Sequence, residues 1–235
     1  MGWEIGDFNG RDIGYGVPAI CDHPDCSEKI DRGLAYICAN EEPYGGEHGC
    51  GLFFCPTHRD WKDIDDDDCV RTCERCADNL PPFEPKPDIP EWIQHKLTDE
   101  SWQNWRDENT ELVENLKISF LQSLVNLLKS YCFNFTSEEE LQSAVESVLT
   151  ENNFAFHREF QLSKKDRIDF LIGSIGLEIK IGFSYADVVR QLHRYAQADR
   201  IQALILLTSR SSHTMPSEIN GKTLCTINIS LISSL

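Results

Sequence analysis

The apolar residues of this 235-residue chain follow a helical period over its middle part. From Thr110 to about Tyr131 they recur every three or four positions, which predicts a long amphipathic helix. The predicted apolar stripe is Leu112, Leu116, Phe120, Leu124, Leu127, Leu128 and Tyr131. Such a stripe must be covered, either by a sheet of the same chain or by a second copy of the chain in a homodimer.

A second amphipathic helix is predicted from Ser137 to about Thr150. Ser137 and Glu140 have the spacing of a capping box, in which the glutamate returns a hydrogen bond to the cap residue. Glu138 lies one turn before Leu141 and extends the apolar stripe of this helix toward the predicted core. We therefore expect Glu138 to point toward the sheet and Glu140 to have a structural role.

Short apolar runs separated by turn residues predict β-strands in the last hundred residues. The predicted strands are Phe154 to Leu162, Arg167 to Ile172, Leu177 to Ile181 and Ala203 to Thr208. The first of these alternates apolar and polar residues, so Phe156, Arg158 and Phe160 are expected on one face. Turn residues from Gly173 to Gly176 join the second and third strands into a predicted hairpin.

Polar residues stand at fixed offsets in this hairpin. Side chains alternate along a strand, so Glu178 and Lys180 share one face and Asp169 can reach them across the hairpin. Burying these charges costs free energy unless they are paired or bind a metal. Two carboxylates together with the backbone carbonyl of Ile179 suit Mg²⁺ or Mn²⁺. Lys180 could then orient or deprotonate a water molecule, or stabilise charge on a phosphate; a surface ion pair is the structural alternative.

The pattern D-x8-E-x-K, followed by Q-x3-Y at Gln191 and Tyr195, resembles the PD-(D/E)XK nuclease superfamily. The resemblance is to the branch whose following helix carries a glutamine and a tyrosine. It covers about residues 137–210, and Ile168 stands where the family name has proline. It implies an α/β fold with an α+β mixed sheet and a restriction-endonuclease-like αβββαβ core.

The resemblance also implies roles for individual residues. Family members often carry a glutamate close to the metal on the first helix, and Glu138 matches it better than Glu140. The remaining implied site consists of metal binding by Asp169 and Glu178, a catalytic Lys180, and Gln191 and Tyr195 near the metal or the nucleic-acid backbone.

Eight of the ten cysteines lie between Cys21 and Cys76, in closely spaced pairs. Pairs such as C-x4-C, C-P-T-H and C-x2-C are typical of zinc sites. The predicted ligands would fill two tetrahedral sites, and a module this short would gain much of its folding free energy from zinc. A disulfide scaffold is the alternative, but no secretion signal accompanies these cysteines.

The module loosely resembles RING-like and B-box-like cross-braces, in which successive ligand pairs interleave. Interleaving assigns one site to Cys21, Cys26, Cys55 and His58, and the other to Cys38, Cys50, Cys73 and Cys76. His48 could replace Cys50, and Cys69 could displace either of its neighbours. Because such sites leave no open position for water, we expect the module to serve structure or recognition.

The net charge of −17 is unevenly distributed. Residues 1–90 carry 20 acidic and 8 basic residues, whereas residues 136–235 carry 12 and 10. Basic residues that could meet phosphates lie near the predicted site at Lys164, Lys165, Arg167, Arg190, Arg194 and Arg200. The acidic run from Asp63 to Asp68 would repel DNA, which favours a protein partner for the zinc module or a simple solvated loop.

Prolines between Pro81 and Pro90 predict an extended spacer. The predicted organisation is a zinc module (1–80), a linker (81–90), a helical connector (91–135) and a nuclease-like domain (136–235). The first ten residues have neither a basic region nor an apolar run, and no stretch reaches membrane-spanning length. These features predict a soluble, cytoplasmic protein.

These patterns together predict a Mg²⁺- or Mn²⁺-dependent nuclease, a phosphodiesterase that cleaves nucleic acid, with DNA favoured as substrate. It would carry two structural Zn²⁺ ions in its N-terminal module. The alternative is a zinc-containing adaptor whose nuclease-like domain binds nucleic acid or protein without cutting it.

Overall fold

The computed structural model describes residues 5–39, 48–65, 68–182, 184–209 and 215–229. The chain divides into two compact units, residues 1–92 and 93–235. Helices and a mixed sheet occur together, so the predicted mixed α/β class is confirmed. No helix within the described ranges is long and apolar enough to cross a membrane.

The described part of the first unit contains two small antiparallel sheets, of three and two strands. Its elements are β1 (Gly6–Phe8), β2 (Arg11–Ile20), β3 (Lys29–Arg32), β4 (Asp60–Asp65), β5 (Asp68–Thr72) and the short helix α1 (Glu74–Ala77). The apolar core is small and includes Ile13, Ile37 and Phe53 beside several cysteines. Asp66 and Asp67 of the acidic run lie outside the described residues.

From Pro81 to Ile89 the proline-rich segment forms neither helix nor strand, and it is held by two buried side chains of the first unit, Asp22 and Arg32. Asp22 is 1% exposed and accepts hydrogen bonds from the Lys86 N–H at 2.8 Å and from the Arg11 guanidinium at 3.0 Å. Further along, Asp88 lies 2.6 Å from the buried Arg32 guanidinium. These contacts fix the course of the segment more firmly than proline stiffness alone would.

The proline-rich segment leads into three α-helices: α2 (Pro90–Thr98), α3 (Gln103–Glu108) and α4 (Thr110–Ser130). Phe120, Leu124 and Leu128 of the predicted stripe are buried in α4, so its sheet-facing side is as expected. The first turn differs, because Val113 is buried and Leu112 is 52% exposed. The apolar period alone does not fix which of two adjacent apolar residues turns inward.

The described part of the second unit continues with a six-stranded mixed sheet in the order β10-β11-β9-β8-β7-β6. Its elements are α5 (Glu138–Glu151), β6 (His157–Gln161), β7 (Arg167–Ile172), β8 (Ile175–Lys180), α6 (Tyr185–Tyr195), β9 (Ala203–Thr208), β10 (Glu218–Ile219) and β11 (Lys222–Asn228). β9 runs parallel to β8 and β11, and the other pairs are antiparallel. From α5 to β9 the element order is αβββαβ.

Two apolar layers enclose this sheet. Side chains of α4 and α5, such as Leu124 and Leu141, pack with Leu177 of β8 in one layer. Side chains of α6, such as Leu192, pack with Leu204 of β9 in the other. Alternating residues of the strands therefore face opposite layers, which explains why β9 is buried throughout and apolar up to its last residue, Thr208.

The turn of the central hairpin is shorter than predicted. Ile172 pairs with Ile175, so only Gly173 and Ser174 lie between the strands, with Gly173 at φ +62°. Gly176 belongs to β8 and meets a packing requirement, because a Cβ there would lie 2.5 Å from Cδ1 of Ile168. A glycine near a predicted turn is normally assigned to the turn. Close packing against another strand leaves no mark in the neighbouring residues of the sequence, so this role of Gly176 could not be predicted.

The alternation predicted along β6 is wrong. Phe156 packs with the α4 and α5 layer, whereas Phe160 packs with the α6 layer. Between them Glu159 has a positive φ of 55°. This left-handed residue is rare in a strand and changes the direction of the side chains that follow it.

Candidate functional site

The β7–β8 hairpin brings Asp169 next to the polar residues at the end of β8. Phe170 pairs with Leu177, so Asp169 stands one residue beyond that pair, beside Glu178. The Ile179 N–H donates a hydrogen bond of 2.7 Å to Oδ2 of Asp169. The predicted approach of Asp169 to β8 is therefore present, with a backbone N–H as the direct link.

Glu178 is the most buried acid of this cluster, at 2% exposure. Its Oε1 lies 2.9 Å from Nζ of Lys180 and accepts a hydrogen bond of 2.7 Å from Nε2 of Gln191. Its Oε2 is buried and has no hydrogen-bond partner among the described residues. Since buried polar atoms normally have partners, this oxygen marks a position where a ligand atom would be stabilising.

Glu138 joins the cluster from the first turn of α5. Its Oε1 accepts a hydrogen bond of 2.9 Å from the Ile181 N–H, and its Oε2 lies 3.6 Å from Nζ of Lys180. Lys180 therefore lies between two carboxylates from different elements. The structure brings Glu138, Asp169, Glu178 and Lys180 together at one end of the hairpin.

Glu140 is engaged elsewhere, as an N-terminal capping residue. Its N–H donates to the Ser137 hydroxyl at 3.2 Å, as the capping box predicts. Its carboxylate accepts hydrogen bonds from the Thr136 N–H and hydroxyl, at 2.6 Å and 2.7 Å. Thr136, the residue before the cap, therefore supplies two donors to this carboxylate.

Gln191 and Tyr195 lie one turn apart on α6 and act as a pair. The Gln191 amide donates to the Tyr195 hydroxyl as well as to Glu178. The hydroxyl in turn donates a hydrogen bond of 2.5 Å to the backbone carbonyl of Arg167. Tyr195 is buried and reaches the carboxylates only through Gln191, so its place is behind the cluster rather than in it.

The cluster holds more negative than positive charge. Burial, with the neighbouring Asp169 carboxylate, raises the pKa of Glu178 to about 7. Burial also raises the pKa of Asp169. Although burial favours neutral Lys180, the surrounding carboxylates, Glu178 first, raise the pKa of this lysine overall. Glu138 brings the number of carboxylates in the cluster to three, and they face one ammonium group. This excess of acidic groups favours the binding of an added cation.

Gln142 contacts the cluster although the sequence reasoning did not select it. Its Nε2 donates a hydrogen bond of 2.9 Å to Oδ1 of Asp169. Gln142 follows Glu138 by four positions on α5, and residues at this spacing share one face of a helix. The position of Glu138 could thus have indicated Gln142.

Three of the six predicted phosphate-contacting residues have acidic partners in the structure. Arg167 lies 2.7 Å from Glu159, and Arg194 lies 2.8 Å from Asp166. Arg190 pairs with Asp187 within the first turns of α6. Lys164 and Lys165 are exposed in the loop between β6 and β7, and the Arg200 guanidinium lies 5.4 Å from the centre of the Phe160 ring.

In the first unit, the cysteines form two clusters that could hold zinc. One consists of Cys21, Cys26, Cys55 and His58, whose donor atoms all lie within 4.8 Å of one another. The His58 Nδ1 is 3.2 Å from Sγ of Cys55. The Cys55 N–H donates to Sγ of Cys21 at 3.3 Å, a contact that stabilises a thiolate.

The second cluster consists of Cys38, Cys50, Cys73 and Cys76, again with donor atoms within 4.8 Å of one another. The Cys73 N–H donates to Sγ of Cys38 at 3.2 Å, which repeats the backbone contact of the first cluster. The two groups have the interleaved composition predicted from the sequence. His48 and the exposed Cys69 belong to neither.

All ten cysteines lie in the described ranges, and each is a free thiol. Among the described residues, only the two cysteine clusters place three or more His, Cys, Asp or Glu donor atoms all within 4.8 Å of one another. The carboxylates of Glu138, Asp169 and Glu178 are more widely spaced. An open carboxylate set fits Mg²⁺, which keeps several waters, whereas compact thiol sets fit tetrahedral Zn²⁺.

Comparison of the chain with protein-family models gives no match, and comparison with curated proteins and with solved structures gives no significant match.

Proposed function

We propose that this chain is a divalent-metal-dependent nuclease of the PD-(D/E)XK type. The observation that carries the proposal is the meeting of Asp169, Glu178 and Lys180 with Glu138, around a buried Glu178 oxygen that has no hydrogen-bond partner within the described ranges. Surface ion pairs are exposed and do not leave such an atom buried. The αβββαβ order from α5 to β9 supports the same assignment.

The residues present fit a Mg²⁺ or Mn²⁺ ion. Asp169 and Glu178 would hold it, with the Ile179 carbonyl as a further oxygen ligand. An oxygen-ligated cation would compensate the excess of carboxylates over ammonium groups. It would also give the buried Oε2 of Glu178 a partner. When bound, such an ion would polarise the substrate phosphate and activate a water molecule.

The chain's own residues then have separate roles. Lys180 stays charged between Glu178 and Glu138, so it would stabilise negative charge on the phosphate more readily than it would remove a proton. Gln191 holds one oxygen of Glu178, which leaves the other for a ligand. Tyr195 keeps Gln191 in place by bonding to it and to the Arg167 carbonyl.

We propose nucleic acid as the substrate, with DNA favoured. The exposed Lys164 and Lys165 follow β6 near the start of β7, where they could bind phosphates without giving up an internal ion pair. The arginines at 167, 190 and 194 would exchange their acidic partners for phosphates. The zinc module would contribute structure or recognition, with a closed four-ligand zinc at each cluster.

The purified protein should be tested on linear, circular and branched DNA, and on RNA, with Mg²⁺ or Mn²⁺. The matched reaction omits the divalent ion without adding a chelator, because a chelator would also remove zinc. Cleavage of at least one substrate only when the ion is present would support the proposal. Binding without cleavage under all conditions would contradict it and favour the adaptor.

A further inference from the structure

The Asp169 carboxylate is held at both oxygens. The Gln142 amide donates to Oδ1 at 2.9 Å, and the Ile179 N–H donates to Oδ2 at 2.7 Å. Rotation of the carboxylate would break at least one of these hydrogen bonds. Each oxygen keeps a second lone pair, so the orientation is fixed while the charge stays available to a cation.

Gln142 is itself held from its other end. Arg158 Nη2 lies 3.4 Å from Oε1 of Gln142, and Arg158 Nη1 lies 2.5 Å from Oε2 of Glu146. Arginine offers only donors, and an ionised aspartate offers only acceptors. A side chain that bridges the two must offer one of each, as an amide does. Arg158 therefore determines which end of the Gln142 amide faces Asp169.

We propose that Gln142 is a positioning residue that holds Asp169 toward the divalent cation, and that Arg158 and Glu146 fix the orientation of Gln142. This inference rests on the proposed function and deepens it. A neutral amide suits the task because it orients the carboxylate without neutralising it, whereas a lysine or arginine would compete with the cation. Partners of this kind behind a metal ligand tune the affinity of the site.

Docking of α5 on the sheet does not require Gln142. Leu141, Val145 and Leu149 are fully buried in the apolar layer and already fix the helix. Gln142 is only partly buried, and its amide bonds to no backbone group of the sheet. A substitution that keeps its length should therefore leave folding intact.

The test measures Mn²⁺ binding by electron paramagnetic resonance, without substrate. Gln142→Met keeps the length and helix propensity of the side chain but removes its donor and acceptor. We expect the variant to bind Mn²⁺ roughly 10- to 100-fold more weakly, with an unchanged melting temperature. Gln122→Met is the matched control, because Gln122 bonds only to Asn126 on the exposed side of α4.

The outcomes separate this inference from the proposed function. If the wild type binds Mn²⁺ and Gln142→Met binds it equally well, the positioning role is wrong and the nuclease proposal stands. A wild type that binds Mn²⁺ without cleaving contradicts the nuclease proposal, while the comparison of Mn²⁺ affinities still decides the role of Gln142. A wild type that binds no Mn²⁺ contradicts both. If Gln142→Met fails to fold, Arg158→Met replaces it, with weakened binding expected and unchanged binding again contradicting the inference.

Discussion

The Lys180 ammonium lies 2.9 Å from one oxygen of Glu178, while the other oxygen of this carboxylate is buried without a hydrogen-bond partner in the part of the chain that the structure describes. An ion pair between two isolated side chains would satisfy both oxygens or expose them to water. Here one oxygen of the carboxylate is satisfied, and the other is open to a ligand atom.

Glu178 should make the stability of the protein depend on pH. Its folded pKa of about 7 lies above its ordinary value of 4.5, so the folded state keeps a proton that the unfolded state releases between these values. Stability contributed by the protonated form is therefore lost as the pH rises through this interval. Glu178→Gln has no such loss. The difference between its free energy of unfolding and that of the wild type should therefore shift in favour of the variant, on the order of 2 kcal/mol, between about pH 5 and about pH 8.

Thermal melting of both proteins at several pH values, in magnesium-free buffer without chelator, measures this difference. Glu139→Gln, an exposed neighbour on α5, serves as the control and should follow the wild type. Adding Mg²⁺ at the higher pH should stabilise the wild type and not Glu178→Gln. Parallel pH profiles of stability for Glu178→Gln and the wild type would show that burial does not raise the pKa of Glu178.

The two glutamates of α5 should behave differently when their charges are removed. Glu138→Gln loses the carboxylate beside Lys180, so metal-dependent cleavage should weaken while the melting temperature changes little. Glu140→Gln keeps an acceptor for Thr136, so activity should persist and helix stability should fall by at most ~1 kcal/mol. Cleavage rates and melting curves of both variants check this, and an inactive Glu140→Gln beside an active Glu138→Gln would reverse the assignment.

The cysteine clusters should bind zinc in a fixed amount. Protein purified without chelator should contain about two zinc ions per chain by elemental analysis, one for each closed set of four ligands. Cys38→Ser should lose about one of them, because Cys38 is a buried member of the second cluster. Cys69→Ser should lose none, since Cys69 is exposed and outside both clusters. Equal zinc loss in the two variants would contradict the ligand sets.

Tyr195→Phe should reduce activity without destroying the site. The variant loses the hydrogen bonds to Gln191 and to the Arg167 carbonyl, and leaves that carbonyl without its buried partner. We expect a stability loss of about 1–3 kcal/mol and a lower cleavage rate at saturating metal. Chemical denaturation and single-turnover rates measure the two effects. Full activity with full stability would mean that Gln191 needs no support from Tyr195.

Regular periods explain why much of this arrangement could be predicted. Side chains alternate along a regular strand, so the offsets between Asp169, Glu178 and Lys180 are enough to predict that they meet on one hairpin. The helical stripe placed Glu138 on the inner side of α5 for the same reason.

Features that depend on tertiary contacts could not be predicted in this way. Glu159 has a positive φ although it is not glycine, so no local preference indicated the change of direction in β6. Gly176 must be a glycine because the side chain of Ile168 on the neighbouring strand leaves no room for a Cβ. The residues next to Gly176 in the sequence do not reveal this contact. Gln142 became relevant only because α5 docks close enough for its amide to reach Asp169.

The most direct test of the account is the rate of metal-dependent DNA cleavage by Lys180→Ala. Lys180 contacts the carboxylates of Glu138 and Glu178, so its loss should remove catalysis while the fold remains. Lys117→Ala is the matched control, because Lys117 forms an ion pair with Glu114 on α4. The account predicts wild-type cleavage by Lys117→Ala and a loss of several orders of magnitude by Lys180→Ala, with both proteins folded. Near wild-type cleavage by folded Lys180→Ala would contradict it.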